Sequence, residues 1–251
     1  MLQIRPEQMK ELEKVAGRRF EGQLLDHIKE HFPRHYEILG EPTLREVIRY
    51  GLERAETYGF TTERDLCLYI GLMLCLGSNF DDDPQLPWAS GILKAKTISE
   101  PATRMMQLDN EAQAYLDRAA GEGNELLRSA LLTVQKNRIA EPWQPQAATL
   151  EQSIVRELRA IWPHKCHVLG EAGLGDLAHE GVEAARKHGL ATGRGALIYV
   201  GVMFLLGSGF DTDPQFPWAA RILSDPALKN PAEKAEQLYG AAMSYLEKWL
   251  R

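Results

Sequence analysis

Asp81, Asp83, Asp211 and Asp213 stand two apart in each of two copies of one loop, Phe-Asp-x-Asp-Pro-Gln-x-Pro-Trp-Ala. Carboxylates at that spacing can hold a hard cation such as calcium or magnesium, and two such pairs brought together could make a two-metal hydrolytic centre. A structural reading competes with this one. Aspartate in a turn folds its side chain onto nearby backbone N–H groups and caps the helix that follows, while proline sets the first turn. Phe80 and Trp88 in the first copy, and Phe210 and Trp218 in the second, would then pin the loop to the core. Neither glycine nor glutamate follows where a calcium loop needs them, which favours the cap. Phe80, Asp81, Asp83, Trp88, Phe210, Asp211, Asp213 and Trp218 are therefore the candidate site, as a structural loop or a partner contact. Asparagine at the four aspartates should keep a cap partly intact and abolish a carboxylate metal site.

Other constellations are weaker. His27, His31 and His35 recur at four-residue spacing, but their counterparts are Glu157, Ile161 and Lys165, and Pro33 interrupts the run. His179-Glu180 has no second histidine at zinc-protease spacing. Gly-x-Ser-x-Gly and the phosphate-cradling Gly-Lys-Ser/Thr ending are not found. Gly189–Gly195 is glycine-rich, yet its counterpart Gly59–Asp65 keeps only the first glycine, so it reads as a connection between helices. Arg64 and Arg194 match between the copies and are candidates to pair with the repeated aspartates. No catalytic residue, cofactor or metal is expected, and the chain is read as non-enzymatic.

The elements that must carry this loop repeat with it. Gly71–Leu93 returns as Gly201–Leu223, identical at 15 of 23 positions without a gap and offset by 130. Pro33 matches Pro163, Gly51 matches Gly181, Gly59 matches Gly189 and Pro101 matches Pro231. Apolar residues at three- and four-residue steps predict a helix from Ile4 to His31, in which Met9, Leu12, Val15, Ala16 and Phe20 lie on one face. Gly17 and Gly22 could divide that helix. Further helices are predicted over Leu44–Tyr58 with Thr43 as its cap, from Thr61 or Thr62 to Leu76, from Pro87 to Lys94 and from Ser99 to Ala119. The stretch Leu66–Leu76 is apolar nearly all round, which marks a buried central helix. No period-two strand pattern occurs. The expected fold is all-α, a tandem duplication of one multi-helix unit packed as two pseudo-symmetric lobes. Residues 1–120 form repeat 1, 121–148 a helix and a proline-rich linker, and 149–251 repeat 2.

Net charge is −6, from 29 basic and 35 acidic residues, with no dense basic block, so nucleic acid is not an expected partner. MLQIRPEQMKELEK lacks the apolar core of a secretory signal, and no apolar run reaches the ~20 residues that span a bilayer. Cys67, Cys75 and Cys166 cannot all pair and read as buried, reduced thiols of a cytoplasmic protein with no membrane partner.

Ile4-Arg5-Pro6-Glu7-Gln8-Met9, Phe20-Glu21 with His31-Phe32-Pro33, and Phe-Asp-x-Asp-Pro-x-x-Pro-Trp-Ala resemble a group of small bacterial proteins encoded beside type VI secretion effectors, their chaperones and spike-tip proteins. Co-chaperones that load or release an effector are thought to be among them. The resemblance spans nearly the whole chain, although two units stand here where one is usual. It implies a protein-binding chaperone or co-chaperone whose partner is an effector, its chaperone or a spike-tip protein, and it carries over no functional residue. An immunity protein that neutralises a toxin is the nearest competing reading, and a metal-dependent hydrolase built on the repeated aspartates is the competitor of another class.

Overall fold

The computed structural model describes residues 6–137, 143–145, 147–190 and 192–251, with side chains from residue 17 onward except residue 18. Those residues form eleven α-helices and one 3-10 turn, and no strand occurs among them. The order is α1 (Pro6–His31), α2 (Pro33–Thr57), α3 (Glu63–Leu76), α4 (Pro87–Leu93), α5 (Pro101–Ala119), α6 (Glu125–Lys136), α7 (Leu150–Ile161), α8 (Pro163–Lys187), α9 (Gly193–Leu206), α10 (Pro217–Ser224) and α11 (Pro231–Leu250). The expected all-α fold is what the chain adopts. Met9, Leu12, Val15 and Ala16, assigned to one face of α1, lie outside the described side chains, as does part of the Glu141–Pro145 linker.

Local chemistry sets the helix ends. Proline opens α2, α4, α5, α8, α10 and α11, where its missing N–H costs no intrahelical bond. Thr62 Oγ1 accepts from Asp65 N at 3.1 Å, and Thr192 Oγ1 from Gly195 N at 2.9 Å. Gly77 and Gly207 end α3 and α9 with φ of 98° and 105°. At the same points the backbones of the two halves meet. A Cβ on Gly77 would lie 3.0 Å from Leu206 O, and one on Gly207 would lie 3.2 Å from Asp83 Oδ2. Thr43, expected as a cap, makes no capping bond; α2 instead runs from Pro33 and breaks at Gly40, whose φ is 76°. The expected Ser99 start moves to Pro101, and α1 is continuous across Gly17 and Gly22.

Two apolar clusters form, and they correspond at the offset of 130. In one, α3 lies against α2 and α5, with Tyr69, Ile70, Met73 and Phe80 fully buried. In the other, α9 lies against α8 and α11, with Tyr199, Val200, Phe204 and Phe210 buried. Helix α6 adds Ala130, Leu131 and Val134 to this second cluster, so part of the non-repeating segment packs with repeat 2. Gly51 and Gly181 let the helices of each layer approach closely. A Cβ on Gly181 would sit 2.7 Å from Val200 Cγ2, and one on Gly51 2.6 Å from Met73 Sδ. Gly181→Val is therefore expected to cost about 1–3 kcal/mol through overpacking. Urea unfolding followed by circular dichroism checks it, and a midpoint unchanged from wild type would contradict this packing.

The halves also grip one another. Helix α5 packs on α8 while α11 packs on α2, so each half's last helix leans on the other half's second. Trp162 Nε1 donates to Ala119 O at 2.7 Å, and the His35 ring meets Trp249 edge-on at 4.7 Å. The thiols differ from expectation. Cys166 is buried and Cys67 half-buried, but Cys75 is exposed, because its position on α3 faces a groove between the halves rather than the core.

Candidate functional site

The repeated loop is a clasp between the halves. Asp83 Oδ1 accepts from Gln85 N at 2.8 Å, a local turn bond, while Asp83 Oδ2 reaches across to accept from Ser208 N at 2.9 Å. Asp213 reproduces both bonds in the opposite direction, from Gln215 N at 2.8 Å and from Ser78 N at 2.7 Å. Gln85 Nε2 donates to Met203 O and Ser208 Oγ, and Gln215 Nε2 donates to Met73 O and Ser78 Oγ. Reciprocity of this kind is the signature of a two-fold contact, here within one chain. All four side chains are buried. Burial pushes the Asp213 carboxyl above its usual range, and the N–H groups it accepts from pull it back.

Asp81 and Asp211 face into their own halves. Asp81 is fully buried, and its Oδ2 accepts from Arg54 Nε at 2.8 Å and from the hydroxyls of Tyr58 and Tyr69, each at 2.9 Å. Arg54 continues to Asp82, which Lys94 also holds at 2.9 Å. Burial works to lower the Arg54 pKa, and its bonds to Asp81 and Asp82 outweigh that and raise it. Burial and then Asp81 raise the Tyr69 phenol. Asp211 has a lighter set, His188 Nε2 and Tyr199 OH, each at 3.0 Å, because Ala184 stands where Arg54 does in the first half. Phe80 and Phe210 pack at a tilt against the rings of Tyr69 and Tyr199, which bond these carboxylates. Trp88 and Trp218 pack on Tyr115 and Tyr245, half-buried, with their indole N–H groups unpartnered.

The lone pairs a cation would need are thus largely occupied by internal donors. Among the described residues no three His, Cys, Asp or Glu side chains gather as a metal-holding group. The His27 and His31 rings lie 4.4 Å apart at a tilt, while the turn at Pro33 carries His35 away to Leu74 O at 3.1 Å. The proposed pairing of Arg194 with the aspartate loop is wrong. Arg194 bonds Glu236 at 2.7 Å on α11, because the start of α9 lies beside that helix; Arg54, one helical turn before Tyr58, fills the role in the first half.

Beside the clasp lies a groove of about 920 Å³, lined by both halves where α3, α5, α9 and α11 end and α2 and α8 begin. Its walls include Leu76, Leu116, Leu131 and Trp249, with Gln85 and Lys165 among its polar groups. Lys165 is buried, donates to Phe204 O, and sits 5.1 Å and 4.9 Å from the ring centres of Trp162 and Phe204. Burial pushes its ammonium down to about 8, with Asp83 opposing the shift. His35, its counterpart, is likewise lowered by burial. Sequence reasoning missed both Gln85 and Lys165. The identity of Gln85 and Gln215 in a buried loop was a usable signal; nothing in the pattern marked Lys165 beyond a basic counterpart.

Comparison of the chain with protein-family models, with curated proteins and with solved structures gave no match.

Proposed function

We propose that the protein is a non-enzymatic, cytoplasmic accessory protein that binds a polypeptide, acting as a chaperone or co-chaperone for a type VI secretion effector. The groove between the halves carries this reading. Its volume of about 920 Å³ is concave, largely apolar in its walls and bordered by helix ends, the form in which all-α proteins receive a partner segment. Among the described residues the remaining surface offers little else, since Met106 is the one large hydrophobic side chain left exposed. The assignment of the partner to a secretion effector, its chaperone or a spike-tip protein draws on the resemblance carried by the Phe-Asp-x-Asp-Pro-x-x-Pro-Trp-Ala loop. No helix of the described chain is long and apolar enough to cross a membrane.

The test is affinity capture from the native organism with the tagged full chain, read by mass spectrometry, beside a Leu131→Glu variant that charges the groove wall. Wild type is expected to retain an effector, effector chaperone or spike-tip protein that the variant loses. Retention of a toxin alone would move the assignment to immunity. Equal retention by the folded variant would remove the groove as the binding surface.

A further inference from the structure

Lys165 and Gln85 anchor on consecutive carbonyls of the last turn of α9. Lys165 Nζ donates to Phe204 O, and Gln85 Nε2 donates to Met203 O at 2.9 Å, so the two polar heads are neighbours on the groove floor. Each is incompletely satisfied. An ammonium carries three donors, and Lys165 spends one on a carbonyl. Among the described residues no carboxylate lies within ion-pair distance of it, although buried charges are ordinarily paired. Gln85 is 4% exposed and its Oε1 accepts from nothing. The floor therefore holds a cation without an ion-pair partner near a buried oxygen that lacks a donor, with the Asp83 carboxylate also in the lining.

We infer that the groove captures the carboxyl terminus of a polypeptide, with Lys165 Nζ on the terminal carboxylate and Gln85 Oε1 on the last backbone N–H. A chain end places an anionic acceptor and an N–H on either side of a single carbon, which matches two adjacent heads of opposite need. A fully ionised phosphate offers no donor to Gln85, and a side-chain carboxylate sits farther from its own backbone N–H. Leu76, Leu116, Leu131 and Trp249 then receive the terminal side chain. The corresponding corner in the other half holds Gln215 on Met73 O and the His35 ring at Leu74 O, an imidazole whose pKa burial lowers, in place of an ammonium. One chain end binds per protein. This inference rests on the polypeptide-binding reading above.

The experiment titrates the full chain with N-acetyl-leucine and with N-acetyl-leucinamide, following tryptophan fluorescence, because Trp162 and Trp249 line the groove. The acid is expected to bind at least about ten-fold more tightly than the amide, the scale of one lost charge-assisted bond. Lys165→Met, checked for folding by circular dichroism, is expected to remove that preference. Acid and amide binding alike, neither binding up to its solubility limit, or inorganic phosphate displacing the acid at equal concentration would each overturn the proposal. The wild-type comparison of acid and amide needs no variant and stands even if Lys165→Met fails to fold. Affinity capture of one polypeptide equally by wild type and folded Lys165→Met overturns chain-end capture and leaves polypeptide binding intact. Capture of none by wild type fails the reading beneath it.

Discussion

Replacing Asp83 and Asp213 together by alanine is expected to unfold the chain at room temperature or part its halves. Each carboxylate accepts two backbone N–H bonds, one at home and one across the clasp. A hydrogen bond to a charged acceptor contributes about 1.5–3 kcal/mol, so either single change removes about 3–6 kcal/mol and leaves buried donors unmet. Both together approach the whole ~5–15 kcal/mol by which a domain is stable. Their effects will not add simply, since both bonds close one interface. Asparagine will not rescue either site, contrary to the expectation from helix capping. Both oxygens are acceptors here, and the amide NH₂ would confront an N–H. Asp82, half exposed and held by Arg54 and Lys94, is the control whose change to asparagine should matter little. Urea unfolding of the single and double variants decides the matter, and single variants within about 1 kcal/mol of wild type would refute a clasp.

Lys165→Met is expected to make the protein more stable. The lysine is buried without a carboxylate partner, and its ammonium falls from 10.5 to about 8 through desolvation. At neutral pH that shift corresponds to a penalty of about 3 kcal/mol. Loss of the bond to Phe204 O returns about 1 kcal/mol, leaving a net gain of about 2 kcal/mol and a rise in Tm of about 4–8 °C. The pH dependence identifies the cause. Between pH 8 and 10.5 the unfolded chain holds more protons at this site than the folded one, so wild-type stability should rise with pH there. Below about 8 the penalty is fully present. Tyr69 and Tyr199, whose phenols burial raises above 10.0, act in the opposite sense at the alkaline end, but they are common to both proteins. The difference between wild type and variant should therefore shrink steadily across the window. A constant difference would mean the lysine is not the titrating group.

Much of the frame was legible because it is written in local chemistry. Prolines at positions 87, 101, 217 and 231 start helices, and Gly77 and Gly207 stop them, whereas Pro33 and Pro163 read as breaks although they too open helices. The apolar run through α3 marked a core helix, and the offset of 130 marked corresponding elements. The candidate loop was half legible. The bond from Asp83 to Gln85 spans two residues and is implied by aspartate in a turn; its bond to Ser208 spans 125 and is implied by nothing nearby. Arg54 rather than Arg64 beside Asp81 follows from the packing of α2 on α3, which spacing along the chain does not encode. Lys165 was invisible for the same reason. Its burial comes from α8 meeting α9 and from the rings of Trp162 and Phe204.

Where the halves meet, their matching residues are no longer alike. Asn79 reaches its own counterpart, Gly209, donating to its carbonyl at 3.3 Å, and a Cβ on that glycine would stand 2.6 Å from the asparagine nitrogen. One side chain fits there, and two do not. Trp162 covers Ala119 at one end, while Phe32 and Trp249 close on His35 at the other. Each half has become a fitted mate for the other and a poor mate for itself. Two first halves from separate molecules would bring asparagine against asparagine, and two second halves would leave a hole between glycines. The halves are thus complementary to each other rather than each to itself, and that asymmetry discourages exchange of halves between molecules.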